Sequence, residues 1–377
     1  MNFDYSEEQQ LLANSVNQFL AKDYTFEARK AILESSAGYS EQVWATFAEM
    51  GLLGLPFDSA YGGFGGSAVD LIPVMEAIGE GLVVEPYLST VGLGGQCIAR
   101  GGNETQKKTL IPALIEGKLK LAFAHTERGA RYNLAHVTVR AQKSGNGYVL
   151  DGEKCVVLHA PYADKFLVSA RTSGKDTNTR GISLFLVDHN APGVTSNTYR
   201  TADNLRAADI EFSGAIVPAT ALIGKKGQAL PLIEDIVDYA TALLCSEAVG
   251  AIRSANNATL DYLKTRRQFG VPIGSFQALQ HRMVDMMISY EQAKSMAYLV
   301  CVKVDSTTGN ERKQIVSAAK IKIADACRHI SQEAVQLHGG MGMTEELKVS
   351  HTFRRLTTIA QTFGDVDHHL ERFAACA

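Results

Sequence analysis

The feature that most constrains this 377-residue chain is the spacing of its apolar residues, which changes twice along the sequence. Before residue 120 they recur at helical intervals, as between Ser6 and Lys22, and Ser6 and Gln9 have the spacing of a capping box. From Leu121 onwards they alternate with polar residues, which predicts strands. After Gly227 the helical interval returns and continues to the end. This helical, β, helical order argues against a Rossmann core.

These changes divide the α+β chain into three predicted domains. They are an N-terminal helical domain over 1–120, an antiparallel, barrel-like β domain over 121–226, and a C-terminal helical bundle over 227–377. The turn sequence 144–147 predicts a hairpin in the β domain. Its two strands contain four apolar residues: Val137, Val139, Tyr148 and Leu150. Four segments of the last domain are long enough to be bundle helices: 228–265, 278–304, 311–337 and 345–374.

The composition is that of an ordinary globular protein, and it excludes several functional classes. Hydrophobic residues make up 46% of the chain, charged residues 20%, and the net charge is −3. Because no run of five Lys or Arg is present, neither nucleic acid nor an anionic membrane is an expected partner. No stretch of about 18 apolar residues could span a bilayer, and no signal peptide is visible. We expect a cytoplasmic protein whose six scattered cysteines are reduced.

Two glycine-containing segments follow predicted helices and could bind a phosphate group. Arg266–Gly270 offers guanidinium donors suited to a diphosphate and an aromatic ring, although the arginines could simply compensate the negative end of the helix dipole. Gln336–Gly342 has three glycines in four residues, which would let a phosphate or adenosine approach main-chain N–H groups. A helix cap alone would need only one glycine there.

A third segment, Ala124–Ala130, lies at the entry to the β domain. The Thr126 hydroxyl and the main-chain donors of this loop could face a polar ring, or the loop could be a simple polar turn. No Ser, His and Asp order typical of a nucleophilic triad and no metal-ligand spacing is present elsewhere in the sequence.

Together and in this order, these segments resemble the acyl-CoA dehydrogenase family, and the resemblance covers essentially the whole chain. The stretches that carry it are Phe3–Gln10, Gly54–Pro56 with Tyr61–Gly66, Thr126–Glu127, Arg266–Gly270 with Gln277, and Gln336–Gly340. The resemblance implies an N-terminal helical domain, a middle β domain and a C-terminal four-helix bundle, usually assembled as a dimer of dimers. It also implies the cofactor FAD, an acyl-CoA substrate and an electron-transfer flavoprotein as electron acceptor.

In this family FAD lies between the β domain and the bundle, and a neighbouring subunit holds its adenine and diphosphate end. Six residues match the positions that serve this end: Arg266, Phe269, Gln277, Gln336, Gly339 and Gly340. Thr126 matches the segment at the flavin ring. The family's reaction removes the α-proton of a thioester with a carboxylate base while a hydride leaves the β-carbon for the flavin.

The chain departs from the family pattern where the base and the flavin ring are expected. The usual glutamate position is occupied by Phe363, and the alternative base position on the first bundle helix is Ala240. Glu247, on the same helix, is a weak candidate base that could equally be a packing carboxylate. The loop at 128–133 has bulky residues in place of small ones, and 156–158 reads Val-Val-Leu where the family has Trp-Ile-Thr.

The adenine-end residues are thus retained while the base and ring contacts are missing. This pattern resembles the small, base-lacking subunits of heteromeric α2β2 acyl-CoA dehydrogenases of the pimeloyl-CoA and steroid side-chain types, as do Glu85–Tyr87 and Val156–His159. We predict a subunit that shares its FAD site with a larger partner in fatty acid or steroid side-chain β-oxidation. Two alternatives stay open: a self-sufficient homo-oligomer with Glu247, Asp238 or Asp365 as displaced base, and a scaffold without FAD.

Overall fold

The computed structural model describes residues 6–376, which form two compact units. The first unit comprises the described residues up to Ile32, Ser67–Val83 and those from Thr241 onwards. The second comprises Leu33–Gly66 and Val84–Ala240. The predicted boundaries at 120 and 226 stay a prediction. The first three residues of the Phe3–Gln10 stretch lie outside the described residues.

The N-terminal third of the described chain is helical, as the spacing predicts. Helix α1 begins after Ser6, whose Oγ accepts a hydrogen bond from the Gln9 N–H at 3.2 Å, while Gln9 Oε1 accepts one from the Ser6 N–H at 3.0 Å. This confirms the capping box. The helices are α1 (Glu7–Asp23), α2 (Phe26–Glu34), α3 (Glu41–Glu49), α4 (Ile72–Gly81), α5 (Gln96–Gly101) and α6 (Glu104–Ile115), and Leu88–Gly95 is π-helical.

The strands that follow form one sheet within the second unit. They are β1 (Leu121–Ala124), β2 (Arg140–Ser144), β3 (Gly147–Leu158), β4 (Lys165–Arg171), β5 (Ile182–Asp188), β6 (Val194–Arg200), β7 (Arg206–Pro218) and β8 (Leu222–Ile223). Their order is β6-β7-β3-β2-β4-β5-β8, with β1 beside β4. The pairs of β4 with β1 and with β2 are parallel and the others are antiparallel. Apolar side chains from most of these strands form one buried core.

The predicted hairpin is present, but its first strand is shorter than expected. β2 and β3 pair antiparallel with Ser144 opposite Gly147. Val137 and Val139 are buried before β2 and lie outside it, because their N–H groups bond elsewhere. The Val137 N–H donates to the Asp176 carbonyl at 2.8 Å, and the Val139 N–H donates to Glu127 Oε1 at 3.2 Å.

The C-terminal part is helical again and lies largely in the first unit. Its elements are α7 (Leu230–Thr265), the short strands β9 (Arg267–Gln268) and β10 (Val271–Pro272), α8 (Gln277–Val304), α9 (Gly309–His338), α10 (Lys348–Gln361) and α11 (Val366–Ala375). Helix α9 packs against α8, α10 and α11. The helical, β, helical architecture predicted from the sequence is confirmed.

The prediction of one helix over 345–374 is wrong, since the chain turns at Thr362–Asp365. Phe363 and Gly364 have φ values of +61° and +131°, and the Asp365 carboxylate caps α11 by accepting the His368 N–H at 2.9 Å. A Cβ at Gly364 would lie 2.5 Å from His369 Nε2, so only glycine fits. The apolar residues before and after the turn continue one helical spacing, so the sequence pattern did not indicate the end of the helix.

Helices α4 and α7 approach each other closely through two glycines of the first unit. A Cβ at Gly79 would lie 1.9 Å from the Glu247 carbonyl oxygen, and one at Gly250 would lie 1.8 Å from the Glu76 carbonyl oxygen. Arg253 of α7 forms ion pairs with Glu76 and Glu80 of α4 beside this contact. The two backbones therefore touch, and an ion-pair network joins the helices.

Two further properties concern membranes and cysteines. Over residues 6–376, no helix is long and apolar enough to cross a membrane. The six cysteines are unpaired thiols, five of them buried and Cys376 partly exposed.

Candidate functional site

The residues predicted for the adenine and diphosphate end all lie exposed in the first unit. Arg266 follows the end of α7, and its side chain has no hydrogen-bond or ion-pair partner among the described residues. Gln277 is the first residue of α8 and Gln336 lies in the last turn of α9. Gly339 and Gly340 follow α9, and a Cβ at either would meet no atom within 4 Å.

A ring contact joins the two helix ends that carry these residues. The rings of Tyr262, on α7, and His338, on α9, stack with their centroids 4.5 Å apart. Burial lowers the pKa of His338, and its Nδ1 lies 2.8 Å from the Ala334 carbonyl oxygen. The segments around Arg266 and Gln336 are therefore brought to one end of the helical unit.

Phe269 occupies the tip of the β9–β10 hairpin and is 91% exposed. Its φ of +53° is in the left-handed region, and its ring meets the Phe276 ring edge-on at 6.2 Å. On the neighbouring helix α8, Val284, Met287 and Ile288 are also exposed, each by about half. We call Phe269, Val284, Met287 and Ile288 the apolar patch. Single exposed apolar side chains are ordinary, whereas large contiguous groups of them are typical of interaction surfaces.

Thr126 lies in the second unit, in the loop that follows β1, here called the 125–139 loop. Its side chain is exposed, and its carbonyl oxygen accepts the Cys155 N–H at 2.9 Å. The loop therefore lies against β3, where Val156 and Leu158 stand. The structure brings together these two segments, both predicted to lie at the flavin ring, whereas the residues predicted for the adenine end belong to the other unit.

A buried ion pair anchors this loop. The Lys154 ammonium, which is fully buried, donates to Glu127 Oε1 at 2.6 Å, to Ser169 Oγ at 2.9 Å and to the His125 carbonyl at 3.1 Å. Glu127 Oε2 accepts the Thr138 N–H and hydroxyl at 2.6 and 2.5 Å.

The titration of the buried pair follows from these contacts. Burial lowers the pKa of Lys154 to about 8, although Glu127 opposes this. Burial would raise the pKa of Glu127, but Lys154 and the Thr138 bonds outweigh it and hold that pKa below its ordinary value. Burial and the Lys154 charge lower the pKa of His125 to about 3. Every polar atom is bonded within the protein, so the pair anchors the loop and leaves no free acid or base.

Arg128 forms a clamp across strands β3 and β7. Its Nη2 donates to Asp209 Oδ2 at 2.6 Å and to Glu153 Oε1 at 3.2 Å. Asp209 Oδ1 in turn accepts the Val156 N–H at 3.0 Å and the Tyr199 hydroxyl at 2.7 Å. Val156, at a bulge of β3, has a φ of +51°, which is unusual for a β-branched residue. Its N–H is thus already bonded inside the chain, and Leu158 has no hydroxyl to offer.

Backbone strain coincides with the segments that the sequence singles out. Among the described residues, seven non-glycine residues have positive φ values, and five of them lie in those segments: Arg131, Val156, His159, Phe269 and Phe363. Each costs on the order of 1–3 kcal/mol, and such residues cluster at functional sites.

Phe363 lies half-buried on the turn between α10 and α11, and a buried lysine holds this turn. The Lys320 ammonium donates to the Gly364 carbonyl at 2.7 Å and to the Ala360 carbonyl at 3.1 Å. The turn therefore presents a side chain in a fixed direction, and that side chain is an aromatic ring without a proton-accepting group.

The carboxylates considered as displaced bases have structural partners. Glu247 is 3% exposed, and its Oε1 accepts from Arg355 Nε at 2.7 Å and lies 2.6 Å from Arg355 Nη2. This is the arrangement expected of a packing carboxylate. Asp365 caps α11, and Asp238 is buried with a partner of its own. Within the described residues no group of three His, Cys, Asp or Glu could hold a metal ion.

Sequence reasoning missed Lys154, Asp209 and Lys320. Lys154 and Glu127 are 27 residues apart, and Arg128 and Asp209 are 81 apart, so no local pattern connects them. The available signal was the replacement of small residues by Arg128 and Arg131 in the 125–139 loop. It indicated a change in the loop without showing what the arginines bind.

Family models match nearly the whole chain. The acyl-CoA dehydrogenase N-terminal domain matches residues 6–118, the middle domain 122–215 and the C-terminal domain 230–375. Acyl-CoA dehydrogenase FadE12 of Mycobacterium tuberculosis strain H37Rv is 30% identical over 370 residues, which cover 95% of this chain and 93% of the relative.

Two solved structures are similar over their full length. An FAD complex of PigA superimposes with a TM-score of 0.91 and 26% identity, covering 100% of this chain and 98% of that one. The ChsE4–ChsE5 complex from Mycobacterium tuberculosis superimposes with a TM-score of 0.89 and 25% identity, again covering 100% and 98%.

Proposed function

Because this chain belongs to the acyl-CoA dehydrogenase family, we propose that it is a subunit of an FAD-dependent acyl-CoA dehydrogenase that shares its FAD site with a larger partner subunit. The observation that carries the proposal is a contrast between two groups of residues. The six adenine-end residues are exposed at one end of the helical unit. The main-chain N–H of Val156, in the segment expected at the flavin ring, already donates to Asp209. The position expected for the catalytic base is occupied by Phe363.

The adenine and diphosphate end of FAD fits the residues present. Arg266 offers a guanidinium without a partner in the described chain, Phe269 offers an aromatic face, and Gly339 and Gly340 leave their main chain open to close approach. The flavin ring fits the residues present poorly. Val156 lacks the aromatic face expected of a ring contact, and Leu158 lacks the hydroxyl. We therefore assign this chain the adenine end of an FAD whose ring lies in the partner.

When bound, FAD accepts the hydride that leaves the β-carbon of an acyl-CoA. In the proposed assembly, this chain's residues bind and orient the cofactor, and the apolar patch forms part of the contact with the partner. The α-proton would be removed by a carboxylate of the partner, since Phe363 offers none. We propose an α2β2 tetramer, an electron-transfer flavoprotein as electron acceptor and a cytoplasmic location. The similarity to the ChsE4–ChsE5 complex supports a two-chain assembly.

The first experiment compares the chain alone with the chain co-expressed with candidate larger dehydrogenase subunits. The visible flavin spectrum and the ratio of FAD to protein are recorded, and acyl-CoA is then added. We expect flavin colour and its bleaching only in the complex, near one FAD for each pair of chains. A lone chain that binds one FAD per copy and oxidises acyl-CoA would contradict the proposal.

The self-sufficient homo-oligomer with a displaced base remains the second candidate. The ion pair between Glu247 and Arg355 disfavours it, because a buried carboxylate paired with a guanidinium is a poor proton acceptor. If the lone chain is active, the variants Glu247→Gln, Asp238→Asn and Asp365→Asn should separate the candidates, since only loss of the true base abolishes turnover while FAD stays bound. A colourless complex would instead support the scaffold.

A further inference from the structure

A cavity of about 640 Å³ lies within the first unit, and none of its lining residues belongs to the predicted FAD site or to the candidate bases. Its walls come from α1, the start of α2, α4, α7 and the start of α10. The volume is typical of small-molecule sites, which measure about 300–1,000 Å³. The lining combines apolar side chains, among them Leu20, Phe26 and Pro73, with four charged ones. This mixture is also typical of a ligand site.

Three of the four charged side chains that line the cavity are bonded to one another. Arg253 of α7 donates through Nε and Nη2 to Glu80 Oε2 at 3.0 and 2.7 Å, and through Nη1 to Glu76 Oε2 at 2.5 Å. Glu76 is buried, whereas the side chain of Glu80 is 37% exposed. Glu80 Oε1 accepts no hydrogen bond from the part of the chain that the structure describes. The arginine therefore fixes Glu80 at the cavity and leaves one carboxylate oxygen unused.

Lys348, the fourth charged side chain, carries a partly buried ammonium group without a partner. It is the first residue of α10, and its Nζ forms no hydrogen bond or ion pair within residues 6–376. Burial lowers the pKa of Lys348, while the charge of Glu80 opposes this and that of Arg29 adds to it. An ammonium group that has lost water without finding an acceptor would gain from an anionic group placed in the cavity.

The balance of charge indicates which kind of ligand fits. Two carboxylates and two cations line the cavity, so their formal charges sum to zero. A ligand with a net charge would leave that charge uncompensated, which is costly in a desolvated site, whereas a zwitterion would not. The two unused groups, the Lys348 ammonium and Glu80 Oε1, also match the two ends of a zwitterion.

We infer that this cavity binds a small zwitterion, an amino acid or a short peptide, whose carboxylate pairs with Lys348 and whose ammonium group pairs with Glu80. The inference goes beyond the proposed function and does not rest on it. Both charged groups are positioned before binding, Glu80 by Arg253 and Lys348 by its place at the start of α10. Less ordering is therefore needed when the ligand enters.

The test is isothermal titration of the purified chain, and of its complex with the partner, with L-leucine and glycyl-L-leucine. The N-acetyl derivatives of both probes lack the ammonium group, and their C-terminal amides lack the carboxylate. We expect at least one zwitterion to bind, and its two derivatives to bind about tenfold to a hundredfold more weakly, as for loss of a charge-assisted hydrogen bond. Tighter binding of leucine identifies an amino-acid site, and tighter binding of the dipeptide identifies a peptide site. Both outcomes support the inference.

Three variants assign the two ends of the ligand. Lys348→Met should weaken binding of the zwitterion about tenfold or more and leave binding of its amide unchanged, because the amide has no carboxylate to lose. Glu80→Gln should weaken the zwitterion in the same way and leave the N-acetyl derivative unchanged. The control Lys22→Met removes an exposed lysine of α1 that does not line the cavity, and it should change nothing.

Thermal melts establish that each variant is folded, so a loss of binding can be assigned to the missing group. The inference is overturned if neither zwitterion binds the chain or its complex, or if the derivatives bind as tightly as their parent compounds. Equal effects of Lys348→Met and Lys22→Met would also overturn it. Flavin content is recorded in parallel, so failure of the FAD proposal would be seen separately.

Discussion

At the scale of single residues, the ion pair of Glu247 and Arg355 should make Arg355 costly to replace in terms of the free energy of unfolding. Arg355→Met would leave the Glu247 carboxylate buried without its guanidinium, and we expect a loss of about 3–5 kcal/mol in the free energy of unfolding. The matched control is Arg354→Met, whose partner Glu345 has a side chain that is 69% exposed, and which should cost no more than about 1 kcal/mol. Urea denaturation measures both, and equal losses would show that the pair is not effectively buried.

His125 gives the stability of the second unit a defined dependence on pH. Its pKa is about 3 in the folded protein and about 6.5 when unfolded, so between these values the unfolded state binds more protons. Stability should therefore fall on acidification below pH 6.5, by about 2 kcal/mol at pH 5 from this residue. His125→Asn keeps a polar atom near Ser169 and should show a smaller loss from pH 7.5 to 5 in thermal melts. If the melting temperatures of the unsubstituted protein and of His125→Asn fell equally with pH, His125 would not be the source of the pH dependence.

At the scale of elements, the contact between α4 and α7 is the least tolerant of substitution. Gly250→Ala improves helix propensity by about 1 kcal/mol, yet its Cβ would lie 1.8 Å from the Glu76 carbonyl oxygen. We expect a net destabilisation of about 3 kcal/mol or more, measured by thermal or chemical unfolding. Gly340→Ala, which has open space around it, should stay within about 0.5 kcal/mol. If Gly250→Ala left the free energy of unfolding unchanged, α4 and α7 would have to be able to move apart.

Elements with a regular apolar period could be predicted from the sequence, and irregular ones could not. The long helices α7, α8 and α9 match their predicted segments within a few residues, because apolar residues recur along each of them at helical spacing. Strand β6 has mostly exposed side chains without alternation, so no pattern indicated it. The turn at Phe363 was missed because Lys320, 43 residues away, holds a left-handed residue that is not glycine.

The candidate site was predictable only as a set of positions. Arg266, Phe269 and Gln336 were identified from motifs, but their common exposure depends on how three helix ends meet, which spacing does not encode. Arg128 shows the opposite case. The sequence showed only that a bulky residue replaces a small one there, whereas in the structure Arg128 binds Asp209, which also accepts the Val156 N–H.

At the scale of the whole molecule, FAD retention tests the proposed sharing of the FAD site between this chain and a partner subunit. In the complex, Arg266→Ala and Phe269→Ala should each lower the FAD bound per pair, because both side chains are exposed for contact beyond their own chain. The control Lys264→Ala removes an exposed cation from the same helix end and should leave FAD unchanged. Absorbance at the flavin maximum after gel filtration gives the ratio. Full FAD retention in both variants would remove these residues from the cofactor site.

The apolar patch also bears on how a cell would manage this chain. A subunit that displays Phe269, Val284, Met287 and Ile288 in water carries the kind of surface that chaperones and proteases recognise in unfinished proteins. We expect a copy made without its partner to be short-lived, so the amount of this protein would follow the supply of the partner even when its own messenger RNA is unchanged. Quality control would thus keep this chain from exceeding its partner in number without any dedicated regulator.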